Sequence, residues 1–192
     1  MLARYGDGHH QLPPGEAGRP VKYLVAFVGA FFAAVLAASV APYVKVLGVT
    51  PDPVLIFAAC WAMIRGQWEA MVVVPMAGLL RDLTTSDPVG TSVLALSPIV
   101  LLAVLRDLRP VESDFLPALA VVAVASLAYA VVSMTVLTAV GDDVPWGTGL
   151  LRVALPGMLV NALFAVIVYL PMRWLSPRPR VEGFGVGSAV QL

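Results

Sequence analysis

The sequence predicts an all-α integral membrane protein with six transmembrane helices, on three observations. Apolar residues make up 59% of the 192 positions and charged residues 12%, where a soluble domain carries about 45–50% and about 25%. Apolar runs alternate with short polar breaks through the middle of the chain, at a mean hydropathy of +0.88. Threading those runs as six crossings puts Arg4, Arg19, Lys22, Arg65, Arg106, Arg109, Arg173, Arg178 and Arg180 on the side of both termini. Lys45, Arg81 and Arg152 fall opposite. Cation-rich loops stay in the cytoplasm, so both termini are expected there. The formal net charge is zero, which offers no basic surface and argues against a nucleic-acid partner.

Residues 1–20 are polar and broken by Pro and Gly, and are expected to form a flexible cytoplasmic tail. Their two histidines, His9 and His10, lack any accompanying cluster of ligands and read as a solvated pair rather than a metal site. The six-helix domain is expected over 21–175, with a second flexible cytoplasmic tail over 176–192. The first run, 23–41, ends in Ser39-Val40-Ala41, which resembles a signal-peptidase site. At about 19 residues it exceeds the usual h-region of about 7–15, and an uncleaved helix is expected.

Two short apolar segments follow, 53–64 and 68–80, parted by Arg65-Gly66-Gln67. At about 1.5 Å per residue they reach roughly 18–20 Å, against a hydrocarbon core of about 30 Å. A re-entrant hairpin would leave the parity unchanged but strand Arg65 and Glu69 in lipid, which is costly, so two crossings are expected. A third run covers 89–105, a charged linker 106–114, a long span 115–140 and a last span 150–170. Cys60 lies inside an apolar segment and reads as a small packing residue.

Ionisable residues at the tips of short helices are where function is expected. Asp52 before Pro53 is a helix start, the carboxylate capping free N–H groups and proline fitting the first position. Asp87-Pro88 has the same form. Asp82 follows Arg81 at a helix C-terminus, where the dipole disfavours an anion, and Arg152 is a cation near the start of the last helix. Asp82 is expected either to pair with Arg81 or Arg152, clamping the hairpin to the last helix, or to reach the headgroups separately from them. Ser126, Tyr129 and Ser133 share a helix face, which suits helix packing or a polar cavity lining. Asn161 and Pro156, like Pro75 and Pro98, are expected at kinks and interhelical hydrogen bonds.

The stretch 49–105 resembles the MreD family of rod-shape-determining membrane proteins. The features that look alike are Pro51-Asp52 opening a short helix, Arg65-Gly66 at the break, Gly78-Leu79-Leu80-Arg81-Asp82-Leu83 closing the second helix, and Pro88-Val89-Gly90 opening the third. Arg81 stands where an aliphatic residue is usual in the family, and Pro53 where leucine is common. The resemblance implies a non-enzymatic scaffold of the bacterial cell-elongation complex in the inner membrane. Its implied partners are an MreC-like bitopic membrane protein, the filament protein MreB, RodA, a penicillin-binding transpeptidase and membrane lipids. It also implies a fold similar to the substrate-binding S-components of energy-coupling-factor transporters, and no cofactor. The candidate structural and partner-binding residues are therefore Asp52, Arg65, Gly66, Gly78, Arg81, Asp82, Pro88, Gly90, Arg152 and Asn161.

The alternative is a vitamin-uptake subunit holding its ligand in an outer recess, with Trp61, Trp68, Tyr129, Trp146 and Asn161 as candidate lining. An enzyme is poorly supported: the chain has no HExxH, no Gly-x-Ser-x-Gly and no P-loop.

Overall fold

The computed structural model describes residues 19–108 and 115–175. The two expected tails lie outside the described residues. Among those described there are helices and turns, with one isolated antiparallel bridge between Val46 and Val49.

Helix α1, Arg19–Ser39, carries Arg19 and Lys22 in its first turn and has no charged residue after them. It ends before Pro42, which sits in a 3₁₀ turn, Ala41–Tyr43. The chain then reverses through Leu47 and Gly48, both with positive φ. Helix α2 is Pro53–Arg65. Asp52 caps it as expected, its Oδ1 accepting the Leu55 N–H at 3.1 Å. Gly66 ends α2 and starts α3, Gln67–Asp82, at φ 89° and ψ 179°. No β-carbon is accommodated easily in that conformation, and it lets two helices follow one another with a single residue between them.

The third run is not one helix. It divides into α4, Thr91–Leu96, and α5, Pro98–Leu108. Pro98 has no N–H to continue the ladder from α4, so the break falls where the sequence places a proline. Helix α6, Phe115–Val140, has the expected bounds. The last span begins earlier than expected, with a short helix α7, Trp146–Gly149, and a π-helical turn, Leu150–Ala154, leading into α8, Leu155–Leu175. Pro156 removes the N–H that would bond the Arg152 carbonyl and crowds that carbonyl with its ring, and a widened turn relieves both.

Helix α2 is the centre of the bundle. Nine of its residues are buried, from Val54 to Met63, and it packs against α1, α3, α5, α6 and α8. A helix apolar all round is covered on every side, and α2 fits that rule. By length and composition three helical stretches can cross a membrane: Val21–Ser39, Phe115–Val140 and Trp146–Leu175. The apolar helices α2 and α4–α5 are shorter.

Helices α3 and α4 approach closely at Gly78. A β-carbon on Gly78 would stand 2.7 Å from the Val93 Cα and 2.9 Å from its nitrogen. Glycine is therefore required there by the neighbouring backbone rather than by its own φ.

Candidate functional site: a buried polar junction

At one end of α2 and α3 the charged residues converge. Arg81, in the last turn of α3, donates through Nη1 to Asp52 Oδ2. Its guanidinium also lies over the Tyr129 ring of α6, 4.9 Å from the centroid, a cation–π contact. The Asp52 N–H donates to Asn161 Oδ1 of α8 at 2.8 Å, and Asn161 Nδ2 donates to Ser126 Oγ of α6 at 3.1 Å. One residue, Asp52, thus caps α2, neutralises α3 and, through its amide, ties in α8. The Asp52 and Arg81 side chains are 12% and 20% exposed, so the pair is desolvated and its geometry matters.

Asp82 takes a different course. It is 3% exposed and pairs with neither Arg81 nor Arg152. Its Oδ2 accepts the Gly90 N–H at 2.7 Å and its Oδ1 the Ser92 N–H at 2.9 Å. The carboxylate that is unfavourable at its own helix C-terminus sits at the N-terminus of α4, where free N–H groups and the dipole favour it. The Asp87 side chain does not cap α4; the N-cap is Gly90 in the left-handed region, φ 99°. Pro88 is exposed, and its carbonyl accepts the Thr91 N–H at 3.1 Å.

Arg152 corrects the expected clamp. It is exposed in the π-helical turn and belongs to no ion pair among the described residues. Nine positions separate it from Asn161, a rise of about 14 Å, which takes it out of reach of the junction.

Arg65 and Gly66 mark the opposite end of the hairpin. The Arg65 guanidinium lies 5.4 Å from the Trp61 ring centroid and its Nε 4.0 Å from Glu69 Oε2. Glu69 also accepts from Lys22 Nζ of α1 at 3.2 Å, a pairing across 47 positions that no local signal announces. Ser92 was likewise missed. The only hint was a hydroxyl pair, Thr91-Ser92, behind Pro88-Val89-Gly90.

The two charged ends are about 18 Å apart along α3, measured from Glu69 to Arg81. From the junction α6 continues for about 16 Å, Tyr129 to Val140, and the α7–α8 strand of helix for about 22 Å back to Trp146. Asp52, Arg81 and Asp82 therefore lie level with the middle of α6 and of the last span, below their tips, and level with the end of α1, whose Ala37 faces the same recess as Asp52 and Arg81. Beside them opens a recess of about 250 Å³ lined by Ala37, Ala41, Pro42 and Thr50 together with Asp52 and Arg81. No group of three or more metal-ligating side chains occurs among the described residues.

These features fit an integral membrane protein, helical over the described residues, with a polar junction buried at one end of α2 and α3. The chain matches the family model for the rod shape-determining protein MreD over residues 19–177, and it belongs to that family, whose members serve cell shape in the rod complex. No curated protein and no solved structure matches it.

Proposed function

We propose that this protein is a non-enzymatic, multi-pass scaffold of the cell-elongation complex, holding an MreC-like bitopic partner and, through it, MreB, RodA and a penicillin-binding transpeptidase. It crosses the inner membrane six times between its two cytoplasmic tails, in a fold similar to the S-components. The Asp52 end faces outward. Lys22, Arg65 and Arg173 all belong to the other end, which supports that orientation.

The observation that carries the reading is the recess beside Asp52 and Arg81. Its two charges are already paired with each other, so it offers complementary shape and a neutral polar wall rather than a reactive group. At about 250 Å³ it is smaller than the roughly 300–1,000 Å³ of ordinary small-molecule pockets. Trp61, Trp68, Tyr129, Trp146 and Asn161, the residues a vitamin pocket would draw on, do not line it. A protruding segment of a partner suits it better than an enclosed ligand.

Photocrosslinking from Ala37 or Thr50 tests this. Capture of an MreC-like protein, with rounding of cells on depletion, is the expected result. A stoichiometric vitamin in the purified protein, with normal cell shape on depletion, would overturn it.

A further inference from the structure

We propose that the protein holds the bilayer at two thicknesses, thin beside α3 and full beside α8; the inference rests on the membrane-crossing orientation given above. The uncovered apolar face of α3 runs from Trp68 through Met71 and Val72 to Leu79, with Leu83 just beyond. Trp68 to Leu83 spans about 22 Å. At its upper end stand Arg81 and the exposed polar turn of Thr84, Thr85, Ser86 and Asp87. The uncovered face of the last span runs from Leu151 in the π-helical turn through Leu159, Leu163 and Ile167 of α8 to Trp174, about 35 Å. A hydrocarbon core of about 30 Å matches the second face and overshoots the first.

The interfacial residues agree. Tyr43, 87% exposed, and Lys45 follow the end of α1 beside the recess, level with the Asp52 end of α2, whereas Trp146 opens α7 at the tip of the α6–α8 hairpin. Tyr, Trp and Lys mark the headgroup level, and here they mark two levels on two sides of one molecule. Between Glu69 and Arg81 the α3 face carries no charge, so lipid rather than a polar protein surface suits it. The partner that fits this face is an annulus of lipid whose outer leaflet dips to the lower level.

Leu83 and Leu159 test the idea because both lie about 3 Å above the junction, two residues from Arg81 and from Asn161. In a Cys60→Ala background, a bimane fluorophore is placed on a cysteine at either position, and at exposed Val89 as a second site on the α3 side. The full chain is reconstituted in 18-carbon phosphatidylcholine vesicles carrying nitroxide on the headgroup or at mid-chain. Headgroup nitroxide is expected to quench the Leu83 and Val89 sites more strongly, and mid-chain nitroxide the Leu159 site. Stronger mid-chain quenching at Leu83 would overturn the step. So would quenching there by aqueous iodide alone, which means a water-filled vestibule, or by nothing, which means a protein cover. Loss of mid-chain quenching at Leu159 would instead overturn the membrane-crossing orientation itself.

Discussion

Arg81 and Asp82 are neighbours in sequence and opposites in structure. Arg81 turns to Asp52 and Tyr129, and Asp82 turns to the amides of Gly90 and Ser92. Successive residues of a helix point about 100° apart, so adjacent charges at a helix end serve different neighbours instead of each other. The first joins α3 to α2 and α6; the second joins α3 to α4.

The Asp52–Arg81 pair is expected to behave as a unit. Arg81→Leu leaves a desolvated carboxylate and should cost about 3–5 kcal/mol of stability. Adding Asp52→Asn, which keeps an acceptor for the Leu55 N–H, should restore part of that loss. Thermal unfolding in detergent of the two single variants and the double variant reads the coupling; strict additivity would mean the residues do not interact.

Asp82 is expected to act through its two amide bonds. Asp82→Asn retains one good acceptor oxygen and should be milder than Asp82→Leu, which strands two N–H groups at about 1–3 kcal/mol each. Hydrogen exchange at Gly90 and Ser92 should accelerate in the leucine variant, while exchange in the middle of α6 follows only the global change.

The two glycines of this corner should fail for different reasons. Gly78→Ala forces a β-carbon against the Val93 backbone, which cannot swing aside as a side chain would, so the cost is expected at the upper end of overpacking, about 3 kcal/mol or more. Gly90→Ala meets nothing within 4 Å and bears only the left-handed backbone, about 1–2 kcal/mol. Equal destabilisation of the two in a chemical unfolding series would contradict the close helix approach.

Asn161→Ala removes the acceptor for the Asp52 N–H and the donor to Ser126, and a loss of about 1–3 kcal/mol is expected. Arg152→Gln should change stability by less than about 0.5 kcal/mol, as exposed sites without partners do. A reversal of that order would restore the idea that Arg152 clamps the hairpin.

What was legible in the sequence was local. Pro53 behind Asp52 and the Arg65-Gly66 break each act within a turn of themselves, and the bounds of α2 and α6 were legible, whereas Pro98, expected at a kink, divides the third run into two helices. The partners were not legible, because Asp52 meets Asn161 across 109 positions and Lys22 meets Glu69 across 47. Asp82 misled for a physical reason: the dipole of its own helix pointed to a cation, and the open amides of the next helix outweighed it. The depth of the junction was hidden as well, since it depends on how far α6 and α8 overshoot α2 and α3.

The dependence of Asp52 on Asn161 has a bearing on how this chain is made. The segment that becomes the centre of the bundle leaves the ribosome early, yet its amide has no acceptor until the last helix has been synthesised. Until then the Asp52 side chain already holds Arg81 and the Leu55 N–H, and Arg81 can reach Tyr129 of α6, but the Asp52 amide waits for Asn161. A chain released before residue 161 would keep the Asp52–Arg81 pair but leave that amide, at the centre of the bundle, unanswered.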